Sequence, residues 1–80
     1  MTRDYYADAR AIAKCLADAG FAREASSIID SLAAGSTGTE VLLELRWALQ
    51  QIAKAARPVD PDVDAKIRDL IAAITLALKP

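Results

Sequence analysis

The chain has 80 residues, 54% of them hydrophobic, and its 11 acidic and 10 basic residues give a net charge of −1. This length predicts a single domain over residues 1–80, and the lack of a basic excess argues against direct nucleic-acid binding. One cysteine and no histidine exclude an intramolecular disulfide and a structural zinc site. A reducing environment fits the lone cysteine, and no apolar run is long enough to span a membrane, so we expect a cytoplasmic protein without a membrane partner.

The first predicted helix runs from about residue 4 to residue 19. Apolar side chains recur there at steps of three and four residues, which is typical of an amphipathic helix. Thr2 is its expected N-cap. Gly20 is expected just after the helix with a positive φ, so that Phe21 and Leu16 meet in a Schellman motif.

The second predicted helix runs from about residue 22 to residue 34 and forms an antiparallel hairpin with the first. Gly35 is expected to end it in the same way that Gly20 ends the first helix. The predicted outer face contains Ser26, Ser27, Asp30 and Ser31. The predicted apolar stripe contains Ala25, Ile28, Ile29, Leu32 and Ala33.

The third predicted helix begins near Thr37 and runs to about Ala56. Thr37 and Glu40 have the spacing of a capping box, in which the Thr hydroxyl accepts from the amide of residue 40 and the Glu carboxylate reaches back to the amide of residue 37. Pro58 ends the helix, because a residue that precedes proline disfavours the helical conformation.

The fourth predicted helix begins at Asp60 and Pro61, an acidic N-cap followed by proline at the first helical position. Its apolar stripe predicts a core-facing side. The stripe contains Val63, Ile67, Leu70, Ile71, Ile74 and Leu78. With no strand alternation elsewhere, the predicted fold is an all-α, small four-helix bundle with short connections.

No motif predicts an enzyme, a cofactor or a metal site. The Gly-rich run at 35–40 lacks the lysine of a phosphate-binding loop and is better explained by helix ends. The Asp-rich run at 60–64 lacks the glycine and glutamate of an EF-hand. Cys15 has no histidine to activate it and lies at the edge of an apolar stripe, so we expect a small buried side chain.

Leu43 and Trp47 lie outside the apolar stripe of the third helix, about 160° from its centre on a helical wheel. They are neighbours at i and i+4. Three interpretations remain open: the fourth helix buries the pair, the two side chains are ordinary exposed apolar residues, or the pair belongs to a partner or self-association surface. The segment from residue 24 to residue 44 holds acidic residues and no basic one, which would suit a basic partner. Its acids are Glu24, Asp30, Glu40 and Glu44.

A resemblance comes from the run Gly35-Ser-Thr-Gly-Thr-Glu40 with its continuation Val-Leu-Leu-Glu-Leu-Arg-Trp47, preceded by Gly20-Phe21 and a short helix. This pattern, over about residues 15–53, resembles a group of small bacterial helical proteins of the kind associated with immunity to contact-dependent growth inhibition toxins. The resemblance carries no catalytic motif. It implies a non-enzymatic protein-binding inhibitor that neutralises a cognate toxin domain. The acidic residues between 24 and 44 add the expectation that this toxin is a nuclease with basic residues at its surface.

Under this hypothesis the partner-binding residues lie on the second and third helices. Leu43 and Trp47 would form an anchor that loses its water on binding, and Glu40, Glu44 and Asp30 would meet basic residues of the toxin. The alternative is a homodimeric structural or regulatory module that associates through the third and fourth helices.

Overall fold

The computed structural model of the chain describes residues 3–55 and 60–79. These residues form the helices α1 (Tyr5–Asp18), α2 (Ala22–Ala34), α3 (Gly38–Lys54) and α4 (Pro61–Ala77), without a strand in the described part. Each helix packs against the next, and α4 also packs against α1. The four helices therefore close a ring around one core, which confirms the predicted all-α four-helix bundle.

The core draws large aliphatic side chains from all four helices. Burial of each such side chain contributes roughly 1.5–3 kcal/mol relative to exposure, so the helices are held chiefly by these contacts. The largest fully buried side chains are Leu16, Ile28, Leu45, Leu49, Ile67, Leu70 and Ile74.

The junction between α1 and α2 is the predicted Schellman motif. Gly20 has a φ of +90°, the amide of Phe21 donates to the carbonyl of Leu16 at 2.8 Å, and the amide of Gly20 donates to that of Ala17 at 3.1 Å. Phe21 is half-buried and packs against the core. The tight junction therefore sets α1 and α2 side by side.

The start of α1 differs from the prediction. The N-cap is Asp4, whose Oδ1 accepts a hydrogen bond from the amide of Ala7 at 3.0 Å. Thr2, the predicted cap, lies outside the described residues. Aspartate is a better N-cap than threonine, which accounts for a helix that starts directly after Asp4.

The buried face of α2 is shifted from the predicted stripe. Ser31 is buried, although it was assigned to the outer face, whereas Ile29 is 46% exposed and Ala33 is exposed. The cause is that α2 packs between α1 and α3 and so has two covered sides. Ser31 lines a groove shared with α3, whereas Ile29 lines an open hollow shared with α1 and stays exposed there.

Gly35 ends α2 for a different reason from the one predicted. Its φ is −89° and its ψ is 150°, which any residue adopts, so the expected positive φ is wrong. A Cβ at this position would lie 2.6 Å from the amide nitrogen of Val41 and 2.9 Å from the Cβ of Glu40. Glycine is needed here because the first turn of α3 passes directly over the backbone.

The predicted capping residues are present at the start of α3, with one change of partner. The hydroxyl of Thr37 accepts from the amide of Glu40 at 3.2 Å, as predicted. The Glu40 carboxylate, however, accepts from the amide and the hydroxyl of Ser36, both at 3.2 Å, rather than from the amide of Thr37. The carboxylate reaches one residue further back than in a capping box.

The other helix ends follow the sequence closely. Helix α3 ends at Lys54, two residues before the predicted end, and Ala56 and Pro58 lie outside the described residues. Asp60 caps α4, with its Oδ1 accepting from the amide of Asp62 at 2.8 Å and Pro61 at the first helical position. This confirms the predicted start of α4.

Candidate partner-binding site

The outer face of α3 carries two large exposed apolar side chains. Leu43 is 45% exposed and Trp47 is 60% exposed. The fourth helix therefore does not bury the pair, which excludes the first of the interpretations that the sequence left open. Trp47 is also the only tryptophan in the chain.

An open groove of about 380 Å³ lies between α2 and α3, which run antiparallel, and Trp47 forms part of its wall. Asp30 on α2 and Glu44 on α3 also line it. The structure therefore brings together three of the residues that the sequence predicted for partner binding. We call this feature the α2/α3 groove; its lining residues are Arg23, Ser26, Ser27, Asp30, Ser31, Ala34, Glu44, Trp47 and Ala48.

The groove exists because α2 presents small side chains toward α3. Ser27 and Ser31, at i and i+4, lie on one side of α2, and Ala48 lies on the facing side of α3. Small side chains at a helix contact leave space that larger ones would fill. The buried Ser31 hydroxyl donates to the carbonyl of Ile28 at 2.7 Å, so its own helix satisfies the polar group.

Two carboxylates in the groove have no polar partner within the described part of the chain. Among residues 3–55 and 60–79, neither Asp30 nor Glu44 accepts a hydrogen bond or forms an ion pair. Other acids of the chain are committed, as when Asp8 pairs with Arg3 at 2.6 Å and Asp64 with Arg68 at 2.9 Å. The groove therefore offers negative charge that the fold itself does not use.

Arg23 is the basic residue in the groove wall, and it lies toward one end. It belongs to the first turn of α2 and also lines a smaller hollow next to Gln51 and Ala55, at the end of α3. Asp30 lies seven residues further along α2, a rise of about 10 Å. The groove thus has a basic end at Arg23 and an acidic end at Asp30 and Glu44.

The remaining predicted site residues, Glu40 and Leu43, do not line the groove. The Glu40 carboxylate holds the start of α3 through Ser36, so its first role is structural. Leu43 lies on the outer face of α3, one helical turn from Trp47. A partner that covers Trp47 can therefore also contact Leu43, but Leu43 is not part of the groove.

Sequence reasoning missed the serines and Arg23 as groove residues. Ser26, Ser27 and Ser31 were assigned to a solvated face because polar residues usually lie there. The available sequence signal was the pair of small residues at 27 and 31, which lie at i and i+4 on one side of the helix.

The sequence raised two other candidate sites, the Asp-rich run at 60–64 and Cys15. Asp60 caps α4, and Cys15 is half-buried rather than fully buried. Within the described ranges, no three potential metal ligands lie together. In the same part of the chain, none of the helices combines the length and the apolar character that a membrane crossing needs.

Comparisons of the chain with protein-family models, with curated proteins and with solved structures give no match. The case for a function therefore depends on the α2/α3 groove and on the resemblance seen in the sequence.

Proposed function

We propose that this chain is a non-enzymatic inhibitor that binds a cognate bacterial toxin domain, as an immunity protein does. The observation that carries the proposal is the α2/α3 groove, where the exposed Trp47 stands beside two uncommitted carboxylates, those of Asp30 and Glu44. Tryptophan is enriched among the residues that dominate binding energy at protein interfaces. The resemblance over residues 15–53 supports the same conclusion and gives the toxin class as contact-dependent growth inhibition.

The mechanism is stoichiometric capture. Trp47 supplies a large amphipathic surface that loses its water when the toxin covers it, with Leu43 adjoining. Asp30 and Glu44 meet basic residues of the toxin, which speeds association and excludes wrong partners. Nucleases carry such basic residues because they bind phosphates, so an inhibitor with an acidic groove is suited to covering a nuclease site in the cytoplasm.

Co-expression tests this function. The neighbouring reading frame should encode a large secreted toxin, and expression of its toxic domain should stop growth unless this chain is also expressed. Trp47→Ala should lose most of the protection. Leu76→Ala is the matched control, because Leu76 is also an exposed apolar residue, at 66%, but lies on α4.

The outcomes separate clearly. Protection by wild type and Leu76→Ala but not by a folded Trp47→Ala supports the proposal. An isolated gene without a toxin beside it contradicts the function. Full protection by a folded Trp47→Ala, Glu44→Lys double variant contradicts the assigned surface.

One observation favours the homodimeric module as a second candidate. Leu76 is exposed on α4 together with Ala65 and Ala72, so α4 as well as α3 presents apolar surface. If this surface mediates self-association, the mass by sedimentation equilibrium rises with concentration, and both Leu76→Ala and Trp47→Ala shift it toward monomer. A monomeric mass at all concentrations would exclude this candidate.

A further inference from the structure

We infer that the acidic end of the α2/α3 groove is an arginine site: it takes one arginine side chain of the partner, with the guanidinium against Trp47 and between Asp30 and Glu44. This inference rests on the proposed function in one respect, that the partner is a protein. It goes further by naming the chemical group that the groove recognises.

The aromatic wall favours a cation. Trp47 lines the groove and keeps 60% of its surface accessible, so its ring is available to a ligand. Tryptophan is the strongest aromatic partner for a cation placed over its face. A planar guanidinium stacks on such a ring, whereas a lysine ammonium is a compact, strongly hydrated charge.

The two carboxylates come from opposite walls of the groove. Asp30 lies on α2 and Glu44 on α3, and both line the groove, so a group that enters it lies between two acidic walls. Neither forms an ion pair with another described residue, so a ligand does not have to displace such a pair. A guanidinium has five N–H donors in a fixed plane and can serve two carboxylates at once, which an ammonium does less well.

The surrounding charges direct the ligand to one end. Arg23 repels a cation from its own end of the groove, about 10 Å along α2 from Asp30. The next hollow, between α1 and α2, carries Arg10 and Lys14 and is basic. Within the α2/α3 groove, the end at Asp30 and Glu44 is therefore the favourable one for an arginine side chain.

The single tryptophan makes the site directly observable. The probes are two capped peptides of equal charge, acetyl-tetra-arginine amide and acetyl-tetra-lysine amide, each titrated at low salt while Trp47 fluorescence is followed. The arginine peptide should give a saturable change in fluorescence. Its affinity should exceed that of the lysine peptide by at least about threefold, because only arginine combines stacking with bidentate hydrogen bonding.

Variants test each part of the site. The double variant Asp30→Asn, Glu44→Gln should bind the arginine peptide about fivefold more weakly, because two partly screened ion pairs are lost. The control Asp18→Asn, Asp62→Asn removes the same charge from exposed positions outside the groove and should change affinity by less than about twofold. Arg23→Gln should tighten binding, because it removes a like charge from the groove. Far-UV circular dichroism confirms that each variant is folded.

Equal affinity for the two peptides would overturn the arginine assignment. An equal loss of affinity for the arginine peptide in Asp30→Asn, Glu44→Gln and in the control Asp18→Asn, Asp62→Asn would also overturn it. Failure of this inference and failure of the proposed function are distinguishable. If the toxin binds through Trp47 and the double variant Asp30→Asn, Glu44→Gln binds it with wild-type affinity, the arginine site alone is overturned. Arginine selectivity in the groove, without a toxin beside the gene, overturns the immunity function alone.

Discussion

Substitution of Gly35 by alanine should destabilise the fold substantially, although the backbone at this position is open to alanine. The added Cβ would lie 2.6 Å from the amide nitrogen of Val41 and 2.9 Å from the carbonyl carbon of Glu40. These are backbone atoms of the first turn of α3, so no flexible side chain relieves the overlap. Relief requires α3 to shift away from α2.

The cost follows from two contributions. Forcing an extra carbon into a packed contact costs roughly 1–3 kcal/mol. A shift of α3 also strains the hydrogen bond between Thr37 and the amide of Glu40, and loss of such a cap costs about 1 kcal/mol. We therefore expect Gly35→Ala to lower the free energy of unfolding by about 2–4 kcal/mol, a large share of the roughly 4–12 kcal/mol expected of an 80-residue domain.

Gly20 provides the matched comparison, because its backbone conformation requires glycine although the space around it is open. Its φ is +90°, and a Cβ there would meet no atom within 4 Å. Gly20→Ala should cost roughly 1–2 kcal/mol through the backbone alone, and Gly20→Asn should cost less, because asparagine tolerates the left-handed region. Gly35→Asn should be no better than Gly35→Ala, because the obstacle is space.

Urea unfolding followed by far-UV circular dichroism measures these differences. The variants should lower the midpoint without changing the slope. Wild-type stability of Gly35→Ala would refute the close approach of α3 to α2. Equal stability of Gly20→Asn and Gly20→Ala would refute the positive φ as the reason for glycine there.

Three further predictions concern the helix start, an ion-pair cluster and the exposed tryptophan. Thr37→Ala should lower the free energy of unfolding by about 1 kcal/mol, while the exposed neighbour Thr39→Ala should be neutral, and equal effects would contradict the cap. Hydrogen bonds to Asp8 and, second, to Asp69 raise the pKa of Arg3, so the contribution of charged Arg3 to stability is fully present near neutral pH and is lost as the pH rises through that raised pKa. Arg3→Gln should cost less than about 1 kcal/mol and nothing in 1 M salt, because these ion pairs are exposed, and a salt-independent loss would contradict this. Trp47→Ala should leave the urea midpoint nearly unchanged, since the side chain is mostly exposed, and a large loss would mean that it is part of the core.

Most of the fold could be predicted because helix signals in this chain are local. The Schellman motif at Gly20, the Thr37 cap and the Asp60-Pro61 start each depend on a few neighbouring residues, and the structure contains all three. The role of Gly35 was not predictable in this way. Its constraint comes from Val41, which is near in sequence but meets Gly35 only after the turn has folded.

The candidate site was predicted in part for the same reason. The helical wheel alone placed Trp47 outside the stripe of α3, and the structure leaves it exposed. The groove beside it depends on which side of α2 packs against α3, a tertiary choice that periodicity does not determine. Periodicity favoured Ile29 as a core residue and Ser31 as a surface residue, and both assignments were reversed by packing.

The most direct test of the central claim, that Trp47 in the α2/α3 groove anchors a toxin domain, is a calorimetric titration of the purified chain with the toxic domain encoded beside it. We expect a 1:1 complex that Trp47→Ala weakens by about 2 kcal/mol or more, roughly 30-fold in Kd, and that Leu76→Ala leaves unchanged. Absence of binding by the wild-type chain would contradict the function. Equal affinity of wild type and a folded Trp47→Ala would contradict the surface.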